Sequence, residues 1–254
     1  MASQGPGVGR RSPQPPKAPP LARRPASGGG RAASPGPALL PLVGWPVLLS
    51  VGVTMLRLVG ELRGWAPAYF SRVPGGGLSP LGIVWLVPLV GFFVGWRLQR
   101  AGHEPPSPAL AAWLPAGALV VVPAVVYALG RALDTSWTGN LSLWAAASGL
   151  ALAVALAGWP ALGWRLLVYA VAVRAFVVAV MGWAVWRDWG THYDVPPPGF
   201  PAMPQLKRWL WIAVLPQATI WVAFTVALGA LCGLLGWLAA SRVPVRRARA
   251  ARTL

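Results

Sequence analysis

Residues 166–186 read LLVYAVAVRAFVVAVMGWAVW, twenty-one residues with a single charge, Arg174, near the middle. A helix needs ~20 apolar residues to cross a bilayer, so this stretch predicts a membrane span. A polar connection follows, RDWGTHYDVPPPGFPAMPQLKR at residues 187–208, and then a second apolar run at 209–238. The connection is the longest polar segment between two apolar runs.

Working outward, six apolar runs appear, at 39–62, 78–98, 109–130, 141–162, 166–186 and 209–238. Only 11% of the residues are charged and 56% are hydrophobic, whereas a soluble domain carries ~25% charged residues. The fold class is therefore an all-α polytopic membrane protein, a bundle of six transmembrane helices. Helices are required because a chain in hydrocarbon must satisfy its own backbone hydrogen bonds. The alternating pattern of a membrane barrel is absent. Residues 1–38 are rich in Pro, Gly and Arg and poor in large apolar side chains, which predicts a disordered basic tail. Residues 39–240 form the membrane domain and 241–254 a second basic tail. The tract PQPPKAPP at 13–20 is read as part of the solvated first tail.

The formal net charge is +17, but its placement argues against nucleic acid. Eleven of the 22 basic residues lie in the two tails, which is how a membrane protein holds its ends in the cytoplasm. With six spans both tails share a side. Arg97, Arg100 and Arg165 bring that side to fourteen. The other side has six: Arg63, Arg72, Arg131, Arg187, Lys207 and Arg208. The expected location is the plasma (inner) membrane of a bacterium with both termini cytoplasmic. The expected partners are the lipid bilayer and a membrane protein or a second copy. Cys232 is the only cysteine, so neither an intrachain disulfide nor a cysteine-based metal cluster can form.

Four polar residues fall inside or at the edge of spans. Arg174 near a span centre carries an insertion cost of ~3 kcal/mol, so it should face the bundle interior. Counted by helical rise, Gln217, the carbonyl freed by Pro216, and Ser50 lie within its reach. Arg57 and Glu61 stand one turn apart on one face of the first span and should pair. The sixth run is too long for one crossing, and Pro216 predicts a kink. Two GxxxG motifs, Gly91 to Gly95 and Gly229 to Gly233, lie in spans that run in the same direction. Small residues at that spacing admit close helix contact, within the chain or between copies. Gly76, in the connection before the second run, should tolerate replacement better. Ten tryptophans mark span ends, whereas Trp85 and Trp221 are read as deeper packing residues.

Catalytic candidates centre on the polar connection. Asp188, His192 and Asp194 offer one imidazole and two carboxylates, the minimum for a metal or acid–base site; the alternative is that they cap the helix and fix the loop. Ser148-Gly149 in the fourth run is similar to the nucleophile dipeptide of the rhomboid intramembrane proteases. That chemistry needs a histidine on the sixth helix, and neither His103 nor His192 lies in a span, so the resemblance ends there. No metal, nucleotide or cofactor motif appears. Three readings remain. The first is a non-catalytic scaffold, assembly factor or accessory subunit. The second is a small transporter or channel built on Arg174 and Gln217. The third is a membrane enzyme with a site at Asp188, His192 and Asp194.

Overall fold

The computed structural model describes residues 38–74, 79 and 81–242. The expectations for the two tails lie outside the described residues, apart from the helical turn at Ser241 and Arg242, and so does the one for Gly76. The fold is an all-helical bundle, with no strand among the described residues. Among the described residues six helices are long and apolar enough to cross a membrane: α1 (Leu39–Leu62), α2 (Ile83–Arg100), α3 (Pro108–Ala132), α4 (Trp137–Gly158), α5 (Pro160–Arg187) and α6 (Gln205–Arg242).

Local chemistry sets the boundaries. α1 ends at Gly64, whose φ of 66° suits glycine. Trp65 N–H bonds the Gly60 carbonyl and Gly64 N–H bonds the Glu61 carbonyl, the paired bonds that close a helix through a left-handed residue. α2 ends the same way, with Gly102 at φ 80°, His103 N–H on Leu98 and Gly102 N–H on Gln99. Ser107 caps α3 through its hydroxyl and Pro108 occupies the first turn. Ser136 caps α4 by accepting from Gly139 N–H.

Several boundaries differ from the sequence expectation, most clearly in the second and fourth spans, and the kink expected at Pro216 takes a particular form. The second span begins at Ile83, not at residue 78. Ser79 to Gly82 closes a turn, and Gly82 is extended at ψ 151°. Trp85 consequently sits in the first turn and is 44% exposed, at the span end and not deep in the packing. The fourth span stops at Gly158 and does not run to residue 162. Trp159 is extended at φ −151° and ψ 87°, and Pro160 opens α5. A residue before proline disfavours the helical region, and proline suits a first helical turn. The long sixth run is irregular on both sides of Pro216. A π-helical turn occupies Leu210–Val214 and the regular helix resumes at Ile220, after Thr219 at φ −116° and ψ −76°. Proline supplies no N–H to the turn before it, so the helix widens there.

α5 and α6 form the centre, with half of their apolar windows buried against about a quarter in α1, α3 and α4. They are antiparallel: Leu166 lies over Gly229 and Leu162 over Gly233. α2 runs parallel to α6. A Cβ on Gly91 would meet the backbone of Gly229, and one on Gly95 the backbone of Gly233. The two GxxxG motifs thus face each other within one chain, where missing side chains allow the backbones to touch. α1 runs parallel to α5, with Ser50 beside Tyr169. The bundle therefore has a tail end, where α1 begins and α6 finishes, and a loop end opposite.

Candidate functional site

Two polar layers lie on α1, α5 and α6. The deeper one is centred on Arg174, which is 5% exposed in mid-α5. Its Nη1 donates to Gln217 Oε1 at 3.1 Å and its Nη2 to Thr225 Oγ1 at 3.3 Å. The guanidinium lies 5.0 Å from the ring centroid of Trp221. All three partners are on α6, spaced every four residues on one face. Ser50 does not reach Arg174. It exchanges a 2.8 Å hydrogen bond with the Tyr169 hydroxyl and donates to the Pro46 carbonyl. Gln217 also points its amide at Met181 Sδ, 3.9 Å away.

The second layer closes the loop end. Glu61, in the last turn of α1, is fully buried. Arg57 Nε donates to its Oε1 at 2.9 Å, and His192 donates its backbone N–H to Oε2 at 3.0 Å. The His192 ring meets Oε1 through Nδ1 at 2.5 Å. Arg72 binds the Glu61 carbonyl, and Arg57 Nη2 reaches the Ser71 carbonyl at 3.2 Å. Gly60 makes room for this cover, since the Phe70 ring occupies the place of a Cβ. The segment between α1 and α2 thus folds over the ion pair while the 187–208 connection closes it from the other side.

The three residues grouped by sequence separate in space. α5 stops at Arg187, and Asp188 turns left-handed at φ 51°, so no helix carries His192 one turn above it. The Asp188 side chain is 80% exposed and lies 3.5 Å from Arg208. Asp194 turns inward and is consumed by its own loop, accepting from Gly190 N–H, Thr191 N–H and the Thr191 hydroxyl at 2.6–2.8 Å. His192 goes instead to Glu61. Among the described residues no group of three or more His, Cys, Asp or Glu side chains is placed to hold a metal ion.

Tyr193 carried no sequence signal, yet it joins the layers. Its ring is 4% exposed and packs with Leu58, Val177 and Met181. Its hydroxyl donates to the Thr54 carbonyl at 3.1 Å, inside α1. Burial pushes that hydroxyl's pKa above the usual phenol range. Burial likewise pushes the His192 imidazole below its ordinary value; Arg57 adds to this, while Glu61 and Asp194 oppose it. The i, i+4 column of Gln217, Trp221 and Thr225 was visible in the sequence. Pairing by α-helical spacing would have extended the Gln217 expectation to the other two.

Two cavities accompany these layers. One, of about 660 Å³, is a lateral groove between α1 and α2 lined by apolar residues such as Trp45, Leu56, Leu89 and Phe93. The other, of about 280 Å³, lies between α3, α4 and α6, with Ser148 its only hydroxyl. The Ser148 hydroxyl bonds the Trp144 carbonyl one turn back. Neither cavity is lined by Arg174, Gln217, Glu61 or His192.

Comparison with protein-family models, curated proteins and solved structures finds no match.

Proposed function

We propose that this chain is a non-catalytic scaffold or accessory subunit of a membrane assembly. One observation carries the reading: the buried charged side chains of the two layers have their partners within the bundle, while the two cavities described present apolar walls. Arg174 has its hydrogen bonds and its aromatic face taken by α6. Glu61 has both oxygens occupied. A transport path is built from polar groups left available to a substrate, and Arg174, Gln217, Glu61 and Arg57 of these two layers already have partners. The lateral groove suits apolar side chains of a neighbouring helix.

Photo-crosslinking from Leu89 in native membranes tests the reading. The expected result is a discrete protein adduct that survives Arg174→Leu. Absence of any protein adduct rejects it. Arg174→Leu should also fold with a stability within about 1 kcal/mol of wild type, since interhelical hydrogen bonds in membranes average only ~0.6 kcal/mol. Thermal denaturation in detergent measures this. If Arg174 served transport, the variant would keep its fold and lose substrate-dependent stabilisation.

The reading includes the orientation: both termini in the cytoplasm of a bacterial inner membrane, on the strength of the basic-residue asymmetry. Thr191 is a poor reporter for the opposite side because it is fully buried. Asp188→Cys and Ser241→Cys, each with Cys232 replaced by alanine, use exposed positions. An impermeant thiol reagent should label the first from outside the cell and not the second. The reverse pattern overturns the orientation.

A second reading draws on the His192–Glu61 contact. A carboxylate on Nδ1 is how a histidine general base is held. The bound groups differ from the expected trio, with Glu61 replacing Asp188 and Asp194. A nucleophile or substrate would have to approach Nε2, which makes no hydrogen bond among the described residues.

A further inference from the structure

The connection between α5 and α6 behaves physically as a separate piece fastened at two points. Its backbone reverses at Asp188 (φ 51°) and Gly190 (φ 64°) on one side and at Gly199 (φ 76°) on the other. Between them lies a compact turn held together by Asp194, with Val195 N–H on the Thr191 carbonyl. This turn is anchored to the bundle by His192 on Glu61 and by Tyr193 on the Thr54 carbonyl. The Tyr193 ring fills the space bounded by Leu58, Val177 and Met181. The next polar group inward is Gln217, at Met181, and behind it Arg174.

We propose that residues 188–199 form an acid-released plug, which closes the loop end of the bundle over the Gln217–Arg174 layer and lifts when His192 takes up a proton.

The charges around His192 support this. Glu61 and Arg57 face it from α1, Asp194 and Tyr193 from its own loop, and Arg72 from the segment after α1. One carboxylate, Glu61, already serves Arg57, so a second cation there shares a counter-ion in a buried place. Burial lowers the docked imidazole's pKa, whereas a released histidine titrates near ~6.5. Above that pH both forms are neutral and docking is at full strength. As pH falls below it, the released form binds a proton first and the docked form loses ground, by at most tenfold per pH unit for one proton. The positive-φ residues at either edge allow the turn to move without unwinding α5 or α6. Release leaves Glu61 with Arg57 and opens the Thr54 level to water.

Hydrogen exchange of the full chain in detergent, read by mass spectrometry and corrected for intrinsic rates, tests the plug. The amide of His192 is bonded to Glu61 on α1 and reports docking directly, whereas those of Gly190 and Thr191 are bonded to Asp194 within the turn and report its own integrity. Protection of the His192 amide should be constant from pH 8 to 7 and fall up to tenfold per unit below pH 6.5, while peptides from α5 stay protected. His192→Gln keeps an amide donor near Glu61 and removes the titration, so its loop protection should not change across this range. Protection independent of pH in the wild type overturns the proposal. So does an unchanged pH dependence in His192→Gln, which would assign the proton elsewhere. Simultaneous loss in α5 overturns it too, as global unfolding.

Discussion

Glu61→Ala should lower stability in detergent by about 3–5 kcal/mol, the loss expected when one partner of a buried ion pair is removed. The carboxylate is fully buried, and its loss leaves Arg57, itself 4% exposed, without that counter-ion. It also removes the acceptor for the His192 backbone and ring. Two effects should therefore appear together. Thermal denaturation should show a lower midpoint, and the 188–199 connection should become protease-sensitive at every pH. Arg57→Met with Glu61→Met should recover more than half of the lost stability, because an apolar pair needs no counter-ion. The loop should stay loose in that double variant. Loss of stability without loop release would mean that the pair stabilises α1 alone.

Gly95→Leu should be the most disruptive single change in the helix core. The added side chain would enter the backbone of Gly233, and backbone cannot rotate aside. Overpacking costs about 3 kcal/mol at its upper end, and here α2 must move off α6 along the whole contact. Gly91→Leu should behave alike through Gly229. Gly44 and Gly52 on α1 are the controls, because a Cβ at either meets nothing within 4 Å. Replacing them with alanine should leave the melting temperature unchanged or raise it slightly, as alanine favours helix over glycine by ~1 kcal/mol. Equal tolerance at Gly44 and Gly95 would show that α2 and α6 do not meet in this way.

The six spans were legible because hydrocarbon imposes one solution on a long apolar run. Their ends were less so. Trp159-Pro160-Ala161-Leu162 is apolar, and hydropathy passes through it, although the backbone breaks there. That break is made by torsion angles, and only the proline announces it. Arg57 and Glu61 were legible as a pair because helical spacing joins them, and Arg174 with Gln217 because depth can be counted along helices. His192 with Glu61 was not. The two are 131 residues apart, and no periodicity relates a loop to a helix end. Proximity in sequence drew His192 to Asp188 and Asp194 instead, before the left-handed turn at Asp188 could be known. Tyr193 was invisible for a related reason. A loop residue is ordinarily at the surface, and the burial of this one follows from the shape of the gap between α1 and α5.

The column that holds Arg174 has a consequence for biogenesis. Gln217, Trp221 and Thr225 all belong to α6, which the ribosome makes after α5. While α5 is leaving the insertion machinery its arginine has none of these partners, and it must meet lipid headgroups, water or the translocon wall, against a penalty of ~3 kcal/mol at mid-membrane. The arrival of α6, after the 188–204 connection, supplies all three at once. α5 and α6 are thus coupled during insertion, because the arginine of one is bonded only when the other has arrived.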